Sequence, residues 1–200
     1  MTLEVEIKVR VDDPERVEEI LSEEGEHVRT LRQEDVYFSH PCRDFAETDE
    51  ALRLREVETE EGSTCILTYK GPKIGDVGKS RVEIEVEVSD REAAREILER
   101  LGFEPLEDMV IRKVRKVYAL HVDGTRVEAC LDTVEGLGTF LEVEIEAEED
   151  ADVDELEAML LELVRDRLGV RGEVVRDSYL ELLMRKEGVV EDGVQGDKKA

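Results

Sequence analysis

The sequence lacks the features that mark several common protein classes. It has no tryptophan and only three cysteines in 200 residues. Cys42, Cys65 and Cys130 lie far apart and form no C-x-x-C pair, and the three histidines are equally scattered. A disulfide framework or a zinc site is therefore not expected, and the cysteines are predicted to be reduced thiols, buried or half-buried.

Long apolar segments and basic residues are also scarce. No apolar run approaches the roughly 18 residues that a membrane span needs, and no apolar signal segment opens the chain. Lysine and arginine total 28 against 54 acidic residues, which gives a net charge of −26. Such an excess argues against binding to nucleic acid or to an anionic membrane. The composition therefore predicts a cytoplasmic protein, adapted to a halophilic cell.

The negative charge predicts a stability that depends on salt. Unscreened acidic groups repel one another, and the Debye length falls from about 10 Å at 0.1 M salt to about 3 Å at 1 M. The midpoint of thermal unfolding should therefore rise from low salt into the molar range. A flat or falling midpoint in a calorimetric salt series would remove the argument for halophilic adaptation.

What the sequence does contain is charge in strict alternation with apolar residues. In "EVEIKV", Glu4 to Val9, the charged and apolar side chains must point to opposite faces of a strand. The same pattern recurs and predicts eight strands: 4–9, 28–38 (the weakest), 52–55, 64–70, 81–88, 111–120, 125–132 and 140–147. Helical spacing predicts four helices: 14–23, 91–101, 153–168 and 178–187.

The helices indicate which strand face is buried. Amphipathic helices need an apolar surface to pack on, so they should cover the apolar faces and leave the charged faces to gather elsewhere. If the sheet closes, the charged faces line its interior. The predicted fold class is α+β, an eight-stranded antiparallel β-barrel with flanking helices, in a single domain over residues 1–187. Residues 188–200, polar and glycine-containing, are predicted to be a disordered tail.

The predicted inner face carries both signs of charge. The inward bases are Lys8, Arg53, Arg55, Lys70, Arg81, Lys113 and Arg115, and the inward acids are Glu4, Glu6, Glu83, Glu85, Asp132, Glu142 and Glu144. Two divalent cations and a triphosphate of roughly −4 would keep the total near zero. Alternating charge on solvated strands is the competing interpretation. The placement of so many of the few bases on strand faces weighs against it.

Two glycine-containing segments resemble nucleotide-binding motifs but fail on context. Gly78-Lys79-Ser80 is similar to the end of a P-loop, yet the position five before Gly78 is Lys73 and a strand follows. Gly136-Leu137-Gly138 lacks the third glycine and the helix of a dinucleotide fingerprint. Both segments are predicted to be turns.

An ordered set of motifs resembles one known family. E-x-E-x-K at Glu4, Glu6 and Lys8 is followed by "QEDVYF", "ALRLR", "LTYKGP", "SRVEIEVEV", "IRKVRKVY", "LDTVEGLGTFLEVEIE" and "SYLELL". This order resembles the CYTH superfamily, the triphosphate tunnel metalloenzymes, which includes class IV adenylate cyclases and thiamine or inorganic triphosphatases. The resemblance covers the chain to about Leu183 and implies an eight-stranded tunnel flanked by helices.

The resemblance also implies roles for the charged residues. Glu4, Glu6, Asp132, Glu142 and Glu144 would be the ligands of two Mg²⁺ or Mn²⁺ ions, because these ions take carboxylate oxygens and bridge to phosphates. Lys8, Arg53, Arg55, Lys70, Arg81, Lys113 and Arg115 would bind the phosphates of the substrate. Glu83 and Glu85 are further tunnel carboxylates.

The branch of the family stays open at this point. The segment "DVYFSHPCRDFAETDEALRLR" is most similar to the cyclase branch, in which ATP gives cyclic AMP and pyrophosphate. The alternative is hydrolysis of inorganic, thiamine or nucleoside triphosphate, in which Lys70, with Tyr37, would activate water. A non-catalytic polyphosphate binder is disfavoured because all five metal carboxylates are present. The expected partner is ATP or tripolyphosphate, and a homodimer is also considered.

Overall fold

The computed structural model describes residues 2–74, 77–148 and 150–189, without the side chain of Thr2. The strands are β1 Thr2–Val11, β2 Glu26–Ser39, β3 Ala51–Thr59, β4 Gly62–Lys73, β5 Arg81–Val88, β6 Glu104–Pro105, β7 Ile111–Val122, β8 Thr125–Val134 and β9 Gly138–Ala147. The helices are α1 Pro14–Glu24, α2 Phe45–Thr48, α3 Arg91–Arg100, α4 Val153–Glu162 and α5 Tyr179–Lys186.

Eight of the strands close into an antiparallel barrel, as predicted. Their order around the barrel is β1-β5-β4-β3-β2-β7-β8-β9, and pairing of β9 with β1 completes the ring. The long strand β2 joins the two halves, because one part of it pairs with β3 and an overlapping part with β7. The contact between β1 and β5 is short and spans only Thr2–Glu4 opposite Arg81–Glu83.

The apolar faces of the strands point outward, under the helices. Val5, Ile7 and Val9 of β1 are buried in one cluster with Leu21 of α1 and Leu160 of α4. Each fully buried aliphatic side chain of this kind contributes about 1.5–3 kcal/mol to stability. The charged row of β1 therefore lies inside the barrel, which confirms the predicted orientation.

A second outer cluster covers the opposite wall of the barrel. Leu98 of α3 packs on Val36 and Phe38 of β2 and on Leu54 of β3. With helices on both walls, these outward apolar side chains of β1, β2 and β3 are buried, whereas Ile84 and Val86 on the outer face of β5 are exposed. The polar faces are left to line the interior, as the layer argument requires.

The predicted helix ends are confirmed, with one local difference. Asp13 and Asp90 accept hydrogen bonds from the first turns of α1 and α3. Gly102 adopts a φ of 92° after α3, where a left-handed residue commonly ends a helix. The helix predicted over 153–168 changes after Glu162 into a π-helical turn, Leu163–Arg167, closed by a 2.9 Å bond from the Leu168 amide to the Leu163 carbonyl.

Short elements and one cysteine differ from the sequence-based predictions. Strand β6 and helix α2 were not predicted, because two and four residues are too few to show a period. Cys65 and Cys130 are buried, but Cys42 is exposed, so its predicted burial is wrong. It lies in the polar connection before α2, where no strand face covers it. Most of the predicted disordered tail, residues 190–200, falls outside the described residues.

Within the described ranges, no helix is both long enough and apolar enough to cross a membrane.

Candidate active site

The interior of the barrel is a cavity of about 1120 Å³ with a charged wall. Most of the predicted inner-face residues line it: Glu4, Glu6, Arg53, Arg55, Lys70, Arg81, Glu83, Glu85, Lys113, Arg115, Glu142 and Glu144, together with Tyr37. The remaining two, Lys8 and Asp132, are 0% exposed and lie behind this wall. Alternation along the strands thus brings the predicted inner-face residues together around one cavity, although Lys8 and Asp132 are covered by other side chains.

Three of the predicted metal ligands converge at one point of the lumen. Carboxylate oxygens of Glu4, Glu6 and Glu144 all lie within 4.8 Å of one another. Burial raises the pKa of Glu4 to about 7, with Glu83 and Glu6 adding to the rise and Lys70 opposing it. Burial, followed by the charge of Glu4, raises the pKa of Glu144 well above its usual range. Crowded carboxyls of this kind suit a hard divalent cation, which would relieve their repulsion.

The other two predicted metal ligands are held by bases. Asp132 accepts bonds from Lys113 Nζ at 2.7 Å, from Arg115 Nε at 2.7 Å and from the Tyr179 hydroxyl at 2.9 Å. Glu142 contacts Arg115, and its Oε1 lies 3.6 Å from Lys8 Nζ. Both carboxylates face the same interior, but neither belongs to the group of three.

Arginines on β3 form a cationic wall with one unsatisfied donor. Arg55 donates two bonds to Asp35, at 2.6 and 2.7 Å, and Arg53 Nη2 donates to Thr68 Oγ1 at 3.1 Å and to Glu85 at 3.3 Å. The Arg53 Nε atom is buried and has no hydrogen-bond partner among the described residues. A buried donor without an acceptor is costly, so this atom indicates where an anionic ligand could bind.

The predicted catalytic pair lies on neighbouring parts of the wall. Lys70 of β4 contacts the Glu83 carboxylate of β5, and Tyr37 of β2 is buried opposite Arg53. Burial, and next the charge of Asp35, raises the pKa of Tyr37 above its usual value. Tyr37 is therefore a neutral hydroxyl that can donate a hydrogen bond. Arg81, 5% exposed, completes this side of the lumen.

Several functional candidates were missed by the sequence analysis. Lys79 reaches the lumen from the loop before β5 and contacts Glu6, although the sequence predicts only a turn for this segment. Asp35 of β2 directly follows another acid, Glu34, which lies on the outer face of the strand. Charge therefore does not alternate at this point, and the pattern does not identify Asp35. Cys130 lies near Glu128 and Glu144 and could complete a second ligand group. Tyr179 covers Lys8, whose Nζ lies 4.1 Å from the ring centroid.

Comparisons with known proteins agree with this architecture. A family model described as the CYTH domain matches residues 2–179. The chain belongs to the CYTH family. It is 41% identical over 181 residues to "Putative adenylate cyclase MJ0240" of Methanocaldococcus jannaschii, covering 90% of this chain and 98% of that relative.

Solved structures of CYTH-like proteins superpose on the same barrel. The PH1819 protein from Pyrococcus horikoshii OT3 is 41% identical, with a TM-score of 0.83, over 92% of this chain and 99% of that one. The PH1012 protein from the same organism is 29% identical, with a TM-score of 0.70, over 90% and 98% of the two chains. CYTH enzymes in general depend on metal and bind triphosphate substrates. The prediction that the protein is an enzyme of the CYTH family is confirmed.

The raised pKa values in this CYTH lumen predict that metal binding depends on pH. A divalent ion bound at Glu4 would have to displace the proton that this carboxyl, with its pKa of about 7, holds at lower pH. Apparent affinity for Mn²⁺ should rise between pH 6 and 8, by up to about tenfold per pH unit for each proton displaced. Calorimetric titrations in buffers of different ionisation enthalpy would count these protons, and an affinity independent of pH would contradict the prediction.

The same shift predicts how the metal-free protein responds to pH. The folded-state pKa of Glu4, about 7, lies above the usual value of 4.5 for this side chain, so the native state binds more protons than the unfolded state between these values. The contribution of Glu4 to stability is therefore present below pH 4.5 and is lost as the pH rises to about 7. Bound metal should remove this loss.

Helix α5 lies across one mouth of the CYTH barrel. Its Glu181 is bonded to Lys73 Nζ at 3.1 Å, and Lys186 donates to the Gly136 carbonyl at 2.6 Å. Ser178 and Arg185 line the cavity, so an anion in the lumen would add contacts to this helix. We predict that amides 179–185 gain protection from hydrogen exchange when Mn²⁺ and tripolyphosphate bind. Equal protection in both states would leave α5 a permanent part of the wall.

Proposed function

We propose that this CYTH enzyme binds two Mg²⁺ or Mn²⁺ ions and acts on a triphosphate inside the barrel. The proposed reaction is class IV adenylate cyclase-like. The observation that supports the proposal is that two groups of opposite charge line the same lumen. The carboxylates of Glu4, Glu6 and Glu144 form one group, and the arginines of β3, with the unpartnered Arg53 Nε, belong to the other. A metal–triphosphate complex has matching charges at both ends.

The proposed division of roles follows from side-chain chemistry. Glu4, Glu6 and Glu144, with Asp132 and Glu142 nearby, would hold the ions, which supply Lewis-acid polarisation and lower the pKa of a bound hydroxyl. The bases that line the cavity, Arg53, Arg55, Lys70, Arg81, Lys113 and Arg115, would orient the phosphates, with arginine forks binding oxygens in pairs. Lys8, which lies behind this wall beside Glu142, would contribute through its positive charge rather than by direct contact. Glu83 and Glu85 would hold Lys70 and Arg53 in place, as their present contacts do.

In the cyclase reaction, the ribose 3′-oxygen of ATP forms a bond to the α-phosphorus as the bond from that phosphorus to pyrophosphate breaks. A proton acceptor takes the proton of the 3′-hydroxyl. Lysine and arginine side chains along the lumen neutralise the charge that develops on pyrophosphate. The name of the archaeal relative, 41% identical, supports this reaction. A cavity of about 1120 Å³ also exceeds the range of about 300–1,000 Å³ typical of sites for drug-sized ligands, and so leaves room for a nucleotide.

Triphosphate hydrolysis is the second candidate, and the surroundings of Lys70 favour it. Lys70 and Tyr37 lie on the cavity wall, where they could orient a water molecule toward the terminal phosphorus. Inorganic, thiamine or nucleoside triphosphate would all present that phosphorus. The same metal ligands and phosphate-binding bases serve both reactions, and only the reacting phosphorus differs. A cytoplasmic location and a homodimer stay predictions.

Product analysis separates the two candidates. The purified protein is incubated with ATP, tripolyphosphate or thiamine triphosphate, each with Mg²⁺ or Mn²⁺, and products are separated by chromatography. Cyclic AMP and pyrophosphate in equal amounts are expected. Orthophosphate from any of the three, without cyclic AMP, would establish the hydrolase instead. The absence of turnover on every substrate would contradict both.

A further inference from the structure

A lysine from outside the barrel strands reaches the edge of the acidic group and pairs with one of its members, Glu6. The loop before β5 sends Lys79 into the lumen, where its Nζ lies 2.9 and 3.0 Å from the two oxygens of Glu6 and 3.6 Å from Glu142 Oε1. Its side chain is 11% exposed. An ammonium group that contacts two of the predicted metal ligands, one of them in the group of three, occupies the kind of position that a divalent ion would take.

The loop that carries Lys79 is fixed to β1 at close range. The Lys79 amide donates to the Glu6 carbonyl at 3.1 Å, so backbone and side chain of Lys79 both bind the same residue. A Cβ on Gly78 would come within 2.3 Å of that carbonyl oxygen. Only glycine fits this approach, because any side chain would push the loop, and Lys79 with it, away from β1.

A buried carboxylate on α4 holds the other side of the loop. Glu157 is 1% exposed and accepts bonds from Ser80 Oγ at 2.6 Å and from the Val77 amide at 3.1 Å. Burying a carboxylate against neutral donors is costly, and an aliphatic residue would pack α4 on the barrel at lower cost. The bonds of Glu157 therefore serve the position of the loop rather than the core.

These contacts connect the outer helix to the lumen through one short segment. Lys79 compensates the charges of Glu6 and Glu142. A divalent ion held by these carboxylates would compete with the ammonium group, which would then be free to contact the phosphates of a triphosphate. Exchange of partners of this kind would make binding of the metal and of the phosphate depend on each other.

We infer that Lys79 is an internal counter-ion that holds the place of the divalent metal and turns to the substrate phosphates when the metal binds, and that Glu157 is its positioning residue. This inference rests on the proposed metal-dependent triphosphate chemistry. It adds a phosphate-binding base that belongs to a loop rather than to a strand face. It also assigns a role to Gly78 and Ser80, which keep the loop close to β1.

The test is a pair of binding measurements on Lys79→Met. Without Lys79, Mn²⁺ no longer competes with an ammonium group, so its affinity measured by calorimetry should rise about tenfold, within the range by which neighbours of metal ligands tune affinity. Affinity for tripolyphosphate at saturating Mn²⁺ should fall by a similar factor. In EDTA the variant should unfold at a lower temperature than the wild type, and saturating Mn²⁺ should remove that difference.

Two further variants separate positioning from general stability. Lys116→Met removes a lysine of the outer wall that pairs with Glu18, and it should change neither affinity. Glu157→Gln should shift both affinities in the directions of Lys79→Met but by less. Combined with Lys79→Met it should add nothing, since Glu157 acts through that lysine.

The outcomes distinguish this inference from the function on which it rests. A wild-type protein that binds Mn²⁺ and tripolyphosphate while Lys79→Met changes neither affinity, or lowers both, would overturn the role of Lys79 alone. Additive effects of Glu157→Gln and Lys79→Met would overturn the positioning role. A wild-type protein that binds neither ligand would overturn the proposed function and this inference with it.

Discussion

Replacing Glu6 with glutamine should reduce turnover by at least roughly 100-fold, as expected for a ligand of a catalytic ion rather than for its outer neighbours. Glu6 is one of three carboxylates within 4.8 Å of one another, and it is 4% exposed. The amide keeps the size of the side chain but loses the charge that attracts the ion. Steady-state rates with saturating Mn²⁺ measure the effect, and circular dichroism checks that the barrel is intact.

A matched substitution on the outer face provides the control. Glu58 lies on β3 with its side chain exposed, on the strand face opposite to Arg55 and Val57. Glu58→Gln removes the same charge and should leave turnover unchanged. EDTA should abolish wild-type activity, and added Mn²⁺ should restore it. Full turnover in EDTA would refute the dependence on metal.

Replacing Asp35 with leucine should lower the free energy of unfolding by about 3–5 kcal/mol, the cost of leaving a buried charge without its partner. Asp35 is 1% exposed and binds Arg55 through two bonds, with Arg53 Nη1 at 3.9 Å. Burial works against its ionised form, but Arg55 and Arg53 outweigh burial and hold the pKa of Asp35 well below its usual value. Urea unfolding followed by circular dichroism measures the loss.

The neighbouring acid on the same strand is the natural comparison. Glu34 points to the outer surface and pairs with Arg91 and Arg112, in a partly exposed cluster. Glu34→Gln should cost less than about 1 kcal/mol, as surface ion pairs do. Equal losses for the two variants would show that Asp35 does not compensate the arginines of the lumen.

The barrel and most of its inner wall could be predicted because alternation is a local property. Once Val5 and Ile7 are assigned to the outer core, Glu4, Glu6 and Lys8 can only face the lumen. The same step assigns Arg53, Arg55, Glu142 and Glu144. The inner face of β2 mixes Leu31 and Gln33 with Asp35, so a charge pattern alone could not identify Asp35.

Contacts between distant segments could not be predicted from a local pattern. Lys79 has no strand period, and its place in the lumen depends on Glu157, 78 positions further along the chain, and on the approach of Gly78 to β1. Alternation gives the face of Asp132 but not its cover by Tyr179. The π-helical turn after α4 is also invisible in a 3.6-residue period, because its extra residue appears only when Leu163 and Leu168 are packed.

Anomalous diffraction from crystals grown with Mn²⁺ and tripolyphosphate tests the central claim most directly. The account predicts manganese inside the barrel, bonded to carboxylate oxygens of Glu4, Glu6 and Glu144, with phosphate oxygens between the metal and the arginines of β3. Manganese absent from the lumen, or tripolyphosphate bound on the outer surface while the lumen keeps its present ion pairs, would contradict it.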